Sequence, residues 1–154
     1  MNSIMLPFPS KLLGPNARVH HMTKHRLTKD YRASTRLIAE QRPRLCLQRP
    51  VLGILPISTT RRRRDLDNVL ASLKAALDGL TDAGWWDDDS AILGISIRSF
   101  AYSKEWTNGI ILCACEREQE TDMVERLDML STEISVDHQS AWLNFNKKNA
   151  APSR

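Results

Sequence analysis

No apolar run in this sequence approaches the roughly 18 residues that a membrane-spanning helix needs, and the N-terminus has no apolar segment followed by a small-residue cleavage site. A cytoplasmic protein with no membrane partner is the expectation. Cysteine is scarce and odd in number: Cys46, Cys113 and Cys115, the last two inside an apolar run. That pattern speaks for reduced thiols rather than a disulfide frame or a CxxC metal site. Glycine (6) and proline (7) are too few for a collagen or a Pro/Gly-rich disordered chain, and no repeat or low-complexity tract is present. Acid is nearly missing from residues 1–64, where Asp30 and Glu40 stand against 14 Lys/Arg; the rest of the chain has 16 acids against eight bases. The sign changes between Arg64 and Asp65. A block that basic should attract a polyanion, nucleic acid ahead of anionic lipid, because no basic amphipathic helix with an aromatic face accompanies it.

What remains is an ordinary globular composition, 42% hydrophobic and 26% charged over 154 residues, enough chain for one core. Residues 1–9 suggest a short strand ending in a proline corner; residues 11–22 are loop-like, with a turn at Gly14-Pro15-Asn16. Leu27, Tyr31, Ser34, Leu37 and Ile38 recur at helical steps, predicting a helix over 23–41 stopped by Pro43. Residues 44–58 look extended but interrupted by Pro50 and Pro56. Val69, Leu70, Leu73, Ala76, Leu77 and Leu80 form one stripe, predicting a single helix over 67–83 with Gly84 just past its end. Alternation over 92–102, then Asn108-Gly109 and the apolar run 110–115, suggests a hairpin. Residues 119–154 read as an acidic, partly helical segment ending in a polar, fraying tail. The expected class is α+β: helices packed on a small mixed sheet, in the order β-α-β-α-β-β with the last pair antiparallel.

Chemistry concentrates at the centre, Arg61-Arg62-Arg63-Arg64-Asp65-Leu66-Asp67-Asn68, and after the helix at Trp85-Trp86-Asp87-Asp88-Asp89. Carboxylates one residue apart point the same way if the stretch is extended. Crowded carboxylates repel, and a divalent cation offsets that repulsion. Mg²⁺ takes carboxylate and water oxygens and leaves room for phosphate, which beside a basic block suits phosphodiester hydrolysis. Each feature also has an ordinary explanation. Asp67 could cap a helix, Asp87–Asp89 could be a solvated turn, and the arginine run could be a surface patch or a localisation signal. Their conjunction is harder to explain that way.

The stretch RRRRDLDN…K…LDGLTDAGWWDDDSAI resembles the RusA family of Holliday junction resolvases, whose hallmark is Arg-Asp-x-Asp-Asn, a helix bearing a lysine, then Asp-Asp. The opening LPFPSKLLGPNARVHH is similar to that family's first strand, proline corner and Asn-x-Arg-x-His element, so the resemblance covers roughly residues 3–117. It implies a RusA-like endonuclease domain over 1–118, with 119–154 as an extension that has no counterpart. It implies Asp65, Asp67 and Asp89 as catalytic metal ligands for Mg²⁺, with Asp88 as their less critical neighbour, and Lys74 as the catalytic lysine. DNA contacts are implied for Arg64 and Asn68, and by extension for Arg61, Arg62, Arg63, Asn16 and Arg18. It further implies a homodimer that cuts branched DNA, a four-way junction, in recombination and repair. In the best-known pattern the lysine follows the Asn by three residues; here Asn68 to Lys74 is six. At roughly 100° per residue the extra turn would keep Lys74 on the face of Asp67, about 4.5 Å further along.

Two readings from other classes compete. A non-catalytic nucleic-acid-binding module would need only the basic half, but gains nothing from carboxylates that repel phosphate. A structural or interaction protein of a prophage region would use the acidic tail as its contact. The acids favour the nuclease.

Overall fold

In a computed structural model, which describes residues 2–61 and 65–135, the chain forms two compact units. One is built from segments 2–7, 49–61 and 92–135, the other from 8–48 and 65–91. The expected fraying tail and Arg62, Arg63 and Arg64 lie outside the described residues. The α+β class is as expected, with four α-helices and a mixed five-stranded sheet among the described residues.

The first unit holds the sheet: β1 (Asn2–Pro7), β2 (Pro50–Ser58), β3 (Gly94–Ile97), β4 (Ala101–Tyr102) and β5 (Gly109–Glu116), followed by α4 (Glu120–Ser135). Strand order is β1-β5-β2-β3, with β4 pairing β2 beyond the end of β3; β5 is antiparallel to β1 and β2, whereas β3 and β4 run parallel to β2. The central strands are near-continuous apolar runs because both of their faces are buried. On one face Val51, Leu55, Ile57, Ile111, Cys113 and Cys115 pack with Met123, Leu127, Leu130 and Ile134 of α4. Leu52, Ile54, Ile110, Leu112 and Ala114 line the other face and are equally inaccessible. All three cysteines are unpaired, and burial pushes the Cys113 thiol far above its ordinary value, so it behaves as a small hydrophobe.

Two expectations fail here. The expected hairpin does not form, because β3 and β5 lie on opposite sides of β2. Asn108 instead clasps the end of β2: its Oδ1 accepts the Thr59 N–H at 3.0 Å, and its Nδ2 donates to Thr59 Oγ1 at 3.2 Å. The chain thus crosses over the tip of β2 rather than doubling back. Nor do prolines interrupt β2. The carbonyls of Pro50, Ile54 and Ser58 accept from Leu93, Arg98 and Ser103 on the β3/β4 side. The same periodicity points the missing N–H of Pro56 to that side, where β3 has ended and β4 has not begun. No ladder bond is lost there.

The second unit is helical: α1 (His21–Ala39), α2 (Leu66–Ser72) and α3 (Lys74–Asp82), with 3₁₀ turns at Lys11–Leu13 and Asp89–Ala91. The helix α1 starts two residues before the predicted position because His20 Nδ1 accepts the Met22 N–H. The predicted single helix over 67–83 is two. In a continuous helix the Val69 carbonyl would take the Leu73 N–H. It takes the buried Ser72 hydroxyl instead, at 2.8 Å, and Leu73 N–H turns to Leu70 O. Such side-chain competition tightens the turn. α3 ends as predicted at Gly84, φ +75°, with Trp85 N–H on Leu80 O and Gly84 N–H on Thr81 O, a Schellman closure that needs the left-handed residue.

α3 lies against α1 at Gly79, where a Cβ would meet Arg32 O at 2.5 Å and Thr35 Cβ at 3.1 Å. Arg32 holds the same contact through two hydrogen bonds to Asp82, 2.6 and 2.7 Å. Gly79→Ala should therefore lower stability by about 1–3 kcal/mol through overpacking, although alanine favours an isolated helix by about 1 kcal/mol. Urea unfolding of the two proteins measures the difference; a gain in stability would contradict the close approach.

Candidate active site

Every carboxylate expected in the site belongs to the helical unit. Asp65 sits at the N-cap of α2 in extended conformation, φ −86° and ψ 128°, yet its side chain makes no capping bond. Its Oδ2 accepts a long hydrogen bond from Asn68 Nδ2, 3.4 Å, and Asn68 Oδ1 accepts from Asn16 Nδ2 at 3.5 Å. The segment leading into α1 is thereby tied to the start of α2. Asp67 falls in the first turn of α2, exposed and, among the described residues, without a hydrogen bond or ion pair. The condition for the two acids to share a face, an extended Asp65–Asp67 stretch, is not met, because the helix begins at Leu66. The capping explanation for Asp67 also fails, since the cap position belongs to Asp65. A negative side chain in a first turn is favoured by the helix dipole, which suits Asp67 where it stands.

Asp89 opens the 3₁₀ turn after α3 and is in the opposite situation. Its Oδ1 accepts from Thr81 Oγ1 at 2.8 Å and Trp86 Nε1 at 3.3 Å, and its Oδ2 accepts from the Lys74 ammonium. Lys74 also donates to Asp78 Oδ1, one turn along α3, at 2.5 Å. Burial by itself raises Asp89; the hydrogen bonds from Lys74, Thr81 and Trp86 and the ammonium's charge outweigh it and hold the carboxyl below the usual range. Lys74 is correspondingly raised, by Asp78 first and Asp89 second. Asp88 turns away: its Oδ1 accepts the Ser90 N–H at 2.8 Å, and Ser90 holds its carboxyl below the usual range. Of the adjacent pair, Asp89 is the one that meets the lysine.

The break at Leu73 absorbs the longer spacing from Asn68 to Lys74. The extra residues do not simply add a turn to one helix; Lys74 becomes the first residue of α3. A regular rotation per residue does not carry across that break, and the contact with Asp89 comes from the second helix. Sequence reasoning gave no role in the site to Thr81, Trp86 or Asp78. A signal existed: Lys74, Asp78 and Thr81 stand at i, i+4 and i+7, one face of a helix.

Among the described residues, no three His, Cys, Asp or Glu side chains come together as a metal-holding group. Asp65, Asp67 and Asp89 are thus not drawn into one cluster. The donor chemistry nevertheless fits a hard cation, since Mg²⁺ is bound through one or two carboxylates with water and phosphate oxygens completing its shell. Asp65 and Asp67 offer such oxygens, with no cation committed to them among the described residues. Arg18 and Arg61 are exposed, the latter on the sheet unit.

The profile of a family described as Endodeoxyribonuclease RusA matches residues 14–111, a span that contains Asn16, Asp65, Asp67, Asn68, Lys74 and Asp89 and stops before α4. A protein of Xylella fastidiosa whose name records no function is 39% identical over 93 residues, covering 57% of this chain and 61% of the relative. The chain therefore spans less than two thirds of that relative's length.

Lys74→Met should raise the titration midpoint of Asp89, because the ammonium is removed while the burial that disfavours charge remains. Thr81→Val should raise it less. Side-chain carboxyl NMR reads both; an unmoved Asp89 in Lys74→Met would mean that the ion pair does not form in solution.

Proposed function

Because this chain belongs to the RusA family of endodeoxyribonucleases, we propose that it is a divalent-metal-dependent, structure-selective nuclease that resolves four-way DNA junctions by paired, symmetric phosphodiester hydrolysis in recombination and repair. The observation that carries this reading is the pairing, within the matched span, of two open acids at the start of α2 with a lysine-bound, half-buried Asp89. A protein that only gripped DNA would have no use for carboxylates repelling phosphate.

Asp65 and Asp67, with Asp89, would hold Mg²⁺. A bound metal of this kind polarises the phosphate and lowers the pKa of a water that attacks it. The chain's own groups do the rest. Asn68 steadies the Asp65 carboxylate, and Thr81 and Trp86 fix the orientation of Asp89. The Lys74 side chain is 66% exposed and carries a compact charge on a flexible four-carbon stem, so it can move from Asp89 to a phosphate oxygen and stabilise charge developing there. Arg61–Arg64 immediately precede Asp65 in the chain and supply phosphate contacts. Two symmetric cuts call for a two-fold enzyme, hence a homodimer with one site per protomer.

Asp65→Asn and Asp67→Asn should each abolish cleavage of a synthetic four-way junction in Mg²⁺ while preserving binding, because each removes a ligand charge and eases repulsion of phosphate. Near-normal cleavage by both variants would overturn the site. Lys74→Ala should slow single-turnover cleavage by about a hundredfold, the scale of losing one transition-state donor worth about 3–4 kcal/mol, with little change in junction affinity. A rate within about threefold of wild type would remove Lys74 from the chemistry.

A further inference from the structure

The acid site accounts for α2 and α3 but not for the outer face of α1. That helix carries Lys24, His25, Arg26, Lys29, Arg32 and Arg36, all exposed. At roughly 100° per residue, His25, Arg26, Lys29, Arg32 and Arg36 fall within an arc of about 120°, its centre turned about 120° from that of the buried Tyr31, Thr35 and Ala39. Arg32 is neutralised by Asp82 and Arg36 by Glu40. His25, Arg26 and Lys29 have no acidic partner among the described residues.

This arrangement works against the helix. Its first turn has no acid and contains Lys24, so positive charge meets the positive end of the dipole. Arg26 and Lys29 are like charges at i, i+3, a spacing that costs a few tenths of a kcal/mol. Asp30, four residues after Arg26, offsets part of this charge; the excess that remains points to a use elsewhere. The location agrees. Asn16, just before α1, reaches Asn68 beside Asp65, and Arg32 in the middle of the helix grips Asp82. The guanidinium of Arg32 also feels the charges of Asp78 and Asp89. The unpaired cations continue the row of Arg32 toward the N-terminal end of α1, on the same unit.

We propose that Arg26 and Lys29, flanked by His25, form a phosphate-backbone contact that holds a duplex arm of DNA alongside the acid site. The inference rests on the nuclease reading for its choice of polyanion. Point charges on long stems position a duplex without reading its sequence, so the contact should serve any arm.

The test measures binding of a linear duplex and of a four-way junction without divalent metal, from about 50 to about 200 mM salt. It compares wild type, the double variant Arg26→Gln/Lys29→Gln and the charge-preserving Arg26→Lys/Lys29→Arg. Loss of two phosphate contacts should reduce the slope of log K against log salt by about 1.8 on both DNAs. The charge-preserving variant should keep the wild-type slope, and thermal melting should show the neutral variant no less stable than wild type. An unchanged slope in the neutral variant, or an equal loss in the charge-preserving one, overturns the contact. Failure of the nuclease reading shows separately, as absent junction cleavage by wild type in Mg²⁺, because the linear-duplex slopes do not depend on cleavage. Wild type binding neither DNA would overturn both.

Discussion

A half-buried carboxylate stays charged only if donors replace the water it has lost, and Asp89 has three: Lys74, Thr81 and Trp86. Much of the helical unit serves that arrangement. Lys74 and Thr81 are two turns apart on α3, so the helix sets their spacing. Trp86 is in place because α3 closes with a Schellman turn at Gly84, which sends the chain back with Trp85 and Trp86 buried. The chain then reaches Asp89 within one more turn. α3 itself is seated on α1 by the absence of a side chain at Gly79 and by the Arg32–Asp82 fork. Loosening any of these would leave a carboxylate whose burial no longer matches its charge.

The site is electrostatically divided. Asp89 is already balanced by the ammonium of Lys74, whereas Asp65 and Asp67 have no cation among their described neighbours. A divalent cation entering beside Asp65 and Asp67 would supply the charge they lack. A phosphate arriving with it would compete with Asp89 for Lys74. Under the proposed nuclease reading, one lysine would serve an ion pair in the free protein and a phosphate in the complex. The cost of that exchange falls on Asp89, which would keep Thr81 and Trp86 as donors, whereas the exposed ammonium of Lys74 stays hydrated.

Reading the sequence recovered the elements whose signals are local and missed those that depend on competition. The stripe Val69–Leu80 and Gly84 marked the helical region and its end, but the break at Leu73 has no glycine or proline to announce it. A buried serine hydroxyl made it, by taking a carbonyl the helix needed. Asn108-Gly109 carried a hairpin signal that was overridden, since β2 accepts β5 on one side and β3 on the other and leaves them no shared edge. Pro56 was taken as an interruption because a one-dimensional pattern does not show which neighbour its nitrogen faces.

The sequence by itself determined the chemistry available: an acid-poor, arginine-rich first half, the Asp-x-Asp at the start of a helix, a lysine and a second acid cluster, in an order that matches one nuclease family. Identity and order of residue types are covalent properties, and a motif depends on them alone. Only the tertiary structure decided how those residues are paired. It chose Asp89 over Asp88 for Lys74, recruited Thr81 and Trp86, and left Asp65, Asp67, Arg26 and Lys29 without ion-pair partners among the described residues. Those outcomes turn on which donor lies within about 3 Å of which acceptor, and that is fixed by helix packing and turn geometry, which residues distant in the chain set together.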